Sequence, residues 1–236
     1  MQLKDRLKKI TPKYIHDIYN RTISKLLIQR RLGKWFDVEW KNKASTISQR
    51  EWSDVYDEAR NNWGGPDLAP QDIEKIRELL ILDGSVVDIG CGNGFFLKHF
   101  DSVSDDLTGV DISKVALLKA KTNLPKNEKF VQAFMENLPF KDKAFDNVVT
   151  MHTLEHILDL QAGISELKRI TAKKLIILVP SQEFSSYSED YHLQYFPEES
   201  TLLSAVGVRN AKCIKYSNPP GEHNYSGEIL LLWAEL

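Results

Sequence analysis

The sequence predicts a doubly wound α/β fold, a seven-stranded, mostly parallel sheet with helices on both sides, preceded by an N-terminal helical appendage. Three observations carry this. The apolar run Val86, Val87 and Ile89 leads into a turn with glycine at positions 90, 92 and 94 and then into the helix-like stretch Phe95 to Phe100, which reads as strand, tight turn, helix. From there strand-like and helix-like segments alternate as far as residue 179, the order that builds a parallel sheet. Arg209 to Tyr216 and Glu228 to Trp233, joined by a loop at Pro219-Pro220-Gly221, then read as the final, antiparallel strands.

A chain of 236 residues with 42% hydrophobic content can bury one core of this kind plus an appendage, so two full-size domains are not expected. The expected division is a basic helical extension and lid over residues 1–66, then a cofactor-binding domain over 67–236. Charge is unevenly spread. The net charge is −2, but residues 1–50 carry +9, which leaves −11 for the remainder. Only Cys91 and Cys213 occur, which excludes a disulfide framework and a four-cysteine metal centre and fits a reducing cytoplasm. No apolar run approaches the roughly 18 residues of a membrane span, and no apolar block follows the N-terminal lysines as a secretory signal requires. A cytoplasmic location is expected, with peripheral membrane contact as the alternative to a freely soluble state.

In chain order, Thr11 and Pro12 open a helix that Gly33 ends. Tyr14, Ile15, Ile18, Tyr19, Ile23, Leu26 and Leu27 recur along it at three- and four-residue spacing, while Lys13, Arg21, Lys25, Arg30 and Arg31 supply a cationic surface. Such a stripe caps the core or pairs with a second subunit as a homodimer; alternatively residues 1–35 dock on an anionic membrane or a lipid-linked substrate. Nucleic acid is disfavoured, because Trp35, Trp40 and Trp52 come with no compact recognition module. Glu51 to Trp63 reads as a short helix broken by Gly64-Gly65-Pro66, and Gln71 to Leu82 as an amphipathic helix with Ile73, Ile76, Leu79 and Leu80 on one face.

The glycine turn is the predicted centre of function. Glycine is needed where φ is positive or where a ligand must approach the main chain, and amides at a helix N-terminus favour an anionic or electron-rich group. The spacing is G-x-G-x-G; a dinucleotide fingerprint wants its third glycine where Phe95 stands. Leu107 to Asp111 is a second strand, ending in a carboxylate placed to accept both hydroxyls of a ribose. Ser113 should N-cap a helix through Asn123, followed by a short edge strand at Lys129 to Gln132 and a fourth strand at Phe145 to Thr150. A helix over Leu154 to Thr171 then leads to the strand Lys174 to Val179, apolar throughout its core and closed by Pro180. Residues 181–196 include Phe184, Tyr187, Tyr191, His192 and Tyr195, too aromatic for a solvated linker and expected to fold over a substrate, ahead of a helix ending near Gly207.

Asp88-x-Gly90-x-Gly92-x-Gly94, Asp111, Glu136-Asn-Leu-Pro-Phe140 and Phe145-Asp-Asn-Val-Val149 leading to Leu154-Glu-His-Ile157 resemble, in that order, the motifs of class I S-adenosylmethionine-dependent methyltransferases. The similarity is nearest to the type 11 small-molecule group that includes quinone-ring methyltransferases, and it covers residues 84–180 well. It implies a Rossmann-like fold, S-adenosyl-L-methionine as cofactor, and cofactor contacts from Asp88, Gly90, Cys91, Gly92, Gly94, Asp111, Met135, Glu136 and Met151. Phe134 stands where relatives often carry an acid that reads the adenine amino group, so the backbone near Met135, or aromatic and thioether packing, takes that role. In such enzymes an N-terminal helix often covers the cofactor; Tyr56 and Trp63 then either line the site or serve as plain core.

Ligands of open α/β sheets bind outside the carboxyl ends of the strands where their order reverses, which puts His152 near the methyl group. Methyl transfer needs a base only for a hydroxyl acceptor, and His152 and His192 are the candidates. His152-Thr-Leu-Glu155-His156 also fits the H-x-x-E-H zinc pattern, but a metallopeptidase is disfavoured because no further ligand is evident, and no resident metal is expected. The Asn-Pro-Pro-Tyr type of tetrad is absent after the fourth strand, which disfavours adenine and glutamine methylation. The resulting expectation is methyl transfer to a small or lipid-linked acceptor, a sugar or a quinone-type ring. The rivals are a nicotinamide oxidoreductase, opposed by Phe95, and a non-catalytic cofactor-binding module that engages a partner through its basic N-terminus.

Overall fold

A computed structural model of the chain describes residues 23, 25–32, 37, 40–62, 68–81, 84–100, 106–124, 129–184, 191–219 and 227–236. The helix expected from Pro12 lies outside these residues except for its C-terminal part, as do Trp35, Trp63 and Tyr187. The chain forms two compact units, Met1–Ile47 with Phe184–Leu193, and Ser48–Glu183 with Gln194–Leu236.

The smaller unit contains α1 (Lys25–Leu32) and α2 (Trp40–Ala44). Leu26 and Leu27 are 65% and 56% exposed on α1, beside exposed Arg30 and Arg31. Trp40 is buried, edge-on to Tyr191 with ring centroids 5.2 Å apart.

The larger unit begins with α3 (Gln49–Asn62) and α4 (Pro70–Leu79). The sheet follows as β1 (Val86–Ile89), α5 (Phe95–Lys98), β2 (Leu107–Asp111), α6 (Lys114–Asn123), β3 (Phe130–Gln132) and β4 (Phe145–Met151), then α7 (Leu160–Ile170), β5 (Thr171–Pro180), α8 (Glu199–Val206), β6 (Lys212–Asn218) and β7 (Gly227–Glu235). The strand order is β3-β2-β1-β4-β5-β7-β6, with β7 antiparallel to both of its neighbours and the other pairs parallel. The order reverses between β1 and β4, opening the crevice in which such sheets bind ligands. α3, expected within the N-terminal extension, packs as part of the sheet unit.

Both faces of the central strand β5 are buried from Leu175 to Val179. Leu175, Ile177 and Val179 of β5 pack on one face with Ile164 and Leu167 of α7 and Leu202 of α8. Ile176 and Leu178 point the other way, to Ile76 of α4, Phe96 and Leu97 of α5 and Leu117 of α6. This two-sided burial is why β5 reads as a continuous apolar run rather than an alternating one. The edge is pinned by a buried polar knot: Asp72 of α4 accepts hydrogen bonds from Tyr216 Oη at 2.5 Å and from Asn218 Nδ2 at 2.8 Å, both on β6.

Ser113 caps α6 as expected, its Oγ accepting from Ala116 N at 3.0 Å. Gly207 ends α8 with φ of 62°, a left-handed cap. The helix expected over 154–171 differs. A single 3-10 turn, Leu154–His156, comes first, and α7 starts only at Leu160, capped by Asp159. The reason is Glu136, whose Oε1 accepts from Leu158 N at 2.9 Å and Asp159 N at 3.3 Å and so holds that stretch extended. β5 then begins at Thr171 with no loop, because its polar first residues already pair with β4.

Candidate active site

β1 is buried along its whole length and delivers the chain to the glycine turn. Gly90, Gly92 and Gly94 have φ of 85°, 53° and 77°. At Gly90 both reasons for glycine apply, since the left-handed backbone disfavours a side chain and a Cβ would lie 2.0 Å from Thr153 Oγ1. The turn's amides point inward. Gly90 N and Cys91 N donate to Val110 O at 2.7 and 2.9 Å, Gly94 N donates to Cys91 O at 2.9 Å, and Gly92 N donates to Asp111 Oδ2 at 2.8 Å. The expectation that these amides would receive an anion is therefore corrected: each is already used within the protein.

The electrostatics oppose an anion as well. Asp88 is fully buried, and its Oδ1 has no hydrogen-bond partner among the described residues. Burial, and then the neighbouring Asp111 carboxylate, push the Asp88 carboxyl well above the usual range. The same burial, with Asp111 and Asp88, holds the Cys91 thiol well up against a smaller opposing effect of Arg60, so Cys91 is an inert packing residue rather than a nucleophile. Two carboxylates thus back the crevice. Asp111 also accepts from Ser113 N through Oδ1 at 2.8 Å.

α3 spans the crevice from one side to the other. Ser53 Oγ donates to Ile112 O at 2.8 Å, just after β2, and Trp52 Nε1 donates to His156 O at 3.2 Å, just after β4. Asp57 Oδ1 accepts from Ser113 Oγ at 2.5 Å and from Val115 N at 3.1 Å, an acidic side chain at the start of α6 where it is most favourable. Tyr56 stands edge-on to both Trp52 and His156, with centroids 5.4 and 5.7 Å away. Beyond β4, His152 is buried with φ of 48°, its amide donating to Leu178 O at 2.9 Å.

Comparison with known proteins fits this geometry. Residues 87–179 match the family described as "Methyltransferase domain". Malonyl-[acyl-carrier protein] O-methyltransferase of Buchnera aphidicola is 37% identical over 137 residues, 56% of this chain and 54% of that protein. The ubiquinone/menaquinone biosynthesis C-methyltransferase of Rickettsia massiliae is 30% identical over 156 residues, 61% of this chain and 63% of that protein. The chain thus spans only about half the length of the first of these relatives. The crystal structure of a protein described as a putative methyltransferase from Bacillus halodurans superimposes with a TM-score of 0.56 at 17% identity, over 70% of this chain and 98% of that one.

Residues 87–179 thus form a methyltransferase domain, with the Rossmann-like fold of S-adenosylmethionine-dependent methyltransferases.

S-adenosyl-L-methionine suits the residues present in this methyltransferase domain. A cofactor bearing a sulfonium and an ammonium group suits a crevice backed by the acidic side chains of Asp88 and Asp111, and a pyrophosphate would find the amides of Gly90, Cys91, Gly92 and Gly94 already engaged within the protein. Asp88, the three glycines, Cys91 and Asp111 are brought together at the head of the crevice. The other predicted contacts are spread over both faces of the sheet. Met135 is buried in the core against α7, where Gly163 makes room for its sulfur, and Met151 is buried on the opposite face, in the same cluster as Cys91. Glu136 holds the turn before α7. His192 is buried in the smaller unit, whereas His152 belongs to the methyltransferase domain.

Sequence reasoning missed Ser53, Asp57 and Thr153. The first two act across more than fifty residues of chain, and no local pattern announces such a contact. Thr153 has one sequence-level signal, its place directly after the fourth strand, where the reversal of strand order concentrates function.

Proposed function

We propose that this domain transfers the methyl group of S-adenosylmethionine to a small acceptor, a sugar or a quinone-type ring, either free or lipid-linked. The supporting observation is the paired burial of Asp88 and Asp111 behind a turn whose amides are already used, a site suited to a cationic nucleoside. When bound, S-adenosylmethionine supplies an electrophilic methyl carbon, so the protein's task is chiefly positioning, which can contribute on the order of 7 kcal/mol or more. Asp88 faces the cationic end, Asp111 the ribose, and α3 excludes water. An O-methyltransferase, an N-methyltransferase and a C-methyltransferase all stand among the relatives, which supports oxygen, nitrogen or an acidic carbon as the acceptor atom. For an acidic carbon no dedicated base is needed, and for a hydroxyl His152 and His192 are the candidates.

The lipid-linked alternative has its own support in the exposed Leu26 and Leu27 beside Arg30 and Arg31 on α1. The test is a methyl-transfer assay with radiolabelled S-adenosylmethionine across sugars, quinols and their lipid-linked forms. Incorporation into one class that is lost in Asp111→Ala is expected. Cofactor binding without turnover on any acceptor would favour a non-catalytic module instead.

A further inference from the structure

We propose that Glu136 and Gln194 are positioning residues for the cofactor, which clamp the main chain of residues 155–159 and through it the side chain that packs on Gly90. Beyond β4, consecutive residues are held by groups from elsewhere in the chain. Gln194 N donates to Glu155 O at 2.8 Å, Trp52 Nε1 to His156 O at 3.2 Å and Gln194 Nε2 to Ile157 O at 3.0 Å. Glu136 Oε1 then accepts from Leu158 N at 2.9 Å and Asp159 N at 3.3 Å. Beyond the one 3-10 turn Leu154–His156 the stretch has no hydrogen-bond ladder of its own, so these partners set its path.

The two clamping residues are themselves anchored. Glu136 lies on the loop that begins at Ala133, whose amide donates to Asp111 O at 3.2 Å at the end of β2. Its neighbour Met135 and the clamped Ile157 both pack at Gly163, where a Cβ would lie 3.3 Å from Met135 Sδ and 2.5 Å from Ile157 Cδ1. Gln194 shortly precedes Phe196, which bridges Ser181 after β5, and Ser181 Oγ donates to Pro197 O at 2.7 Å. The clamp therefore gathers α3 and the segments that follow β3, β4 and β5, all within the larger unit.

Thr153 carries the effect to the glycine turn. His156 N donates to Thr153 O at 2.9 Å, which fastens Thr153 to the clamped stretch, and Thr153 Oγ1 donates to Met151 O at 2.9 Å. The Thr153 side chain fills the place that a Cβ on Gly90 would take, so a shift of the stretch is felt at the first glycine of the turn. Misplacement of about 1 Å in a preorganised site can cost on the order of a hundredfold. Glu136, expected to touch the cofactor, thus serves it at one remove. That consequence rests on placing the cofactor at the glycine turn; the clamp itself does not.

The test uses the full chain with Glu136→Met and Gln194→Leu, which keep side-chain volume, and Glu136→Gln, which keeps an acceptor oxygen. S-adenosylhomocysteine is titrated by calorimetry, thermal midpoints are recorded without ligand, and amide hydrogen exchange is followed by mass spectrometry over residues 86–94 and 145–153. Glu136→Met and Gln194→Leu should each weaken S-adenosylhomocysteine by about tenfold and speed exchange in both segments of protein that still melts cooperatively, and Glu136→Gln should recover most of both losses. Gln194→Leu carries the test alone if Glu136→Met does not fold. Variants that bind and exchange as the wild type does would overturn the clamp. A loss in Glu136→Gln as large as in Glu136→Met would overturn it too, because the carboxylate charge would then meet the cofactor directly. Wild-type protein that binds no S-adenosylhomocysteine would contradict the cofactor assignment alone, and exchange over residues 86–94 would then decide the clamp.

Discussion

Asp88 is held in the low-dielectric floor of the crevice, and its stability consequence follows from sign. Its carboxyl titrates above the unfolded value of about 3.9, so its favourable contribution is complete below that pH and is lost as pH rises through the folded value. At neutral pH the residue is therefore a liability to the fold, one that a bound cationic group would offset. Asp88→Asn should therefore raise the thermal midpoint of the ligand-free protein at pH 7 while weakening S-adenosylmethionine roughly tenfold to a hundredfold, measured by scanning fluorimetry and calorimetry. A drop in both would show that the carboxylate supports the fold. Asp111→Ala should lower both, because it strips an acceptor from the amides of Gly92 and Ser113, a loss of about 1–3 kcal/mol, as well as from the ribose. At this scale the glycine spacing was legible, since it reports a local backbone need, whereas Asp111 was read as a ribose acceptor and its bonds to the amides of Gly92 and Ser113 were not foreseen. The direction of the turn amides was not, because whether an amide faces a ligand or a carbonyl depends on Val110 in a strand that a motif does not describe.

Strands and helices were mostly legible as elements, and the exceptions share a cause. α7 starts late because Glu136, more than twenty residues upstream, holds the amides that would otherwise begin it. The helix expected through Thr171 ends at Ile170, and Thr171 instead opens β5, buried opposite Phe145. In both cases a tertiary contact overrides local preference. α3 illustrates the same point with a functional outcome, since its anchoring depends on Ser53 and Asp57 meeting the backbone and side chain around Ile112 and Ser113. Asp57→Ala should cost about 1–2 kcal/mol through lost capping and speed hydrogen exchange in α3 ahead of the sheet, with weaker cofactor binding as the cover loosens. Exchange in α3 matching the wild type would argue that the helix is held by Trp52 packing alone.

Across the whole molecule, the charge separation between residues 1–50 and the rest concentrates cationic residues where α1 exposes its leucines. Leu26→Glu with Leu27→Glu should abolish co-sedimentation with phosphatidylserine vesicles and leave S-adenosylhomocysteine affinity unchanged, because both positions lie on the surface of the smaller unit. Equal sedimentation of both proteins would remove the membrane reading. Among the described residues no helix is long and apolar enough to cross a membrane. The central claim, that two buried carboxylates behind a self-satisfied glycine turn select a cationic nucleoside, is tested most directly by isothermal titration of the full chain with S-adenosylmethionine, S-adenosylhomocysteine and NAD in parallel. Binding of both sulfur nucleosides with none of NAD is the predicted result; binding of NAD in their place would contradict the account at Asp88 and Asp111.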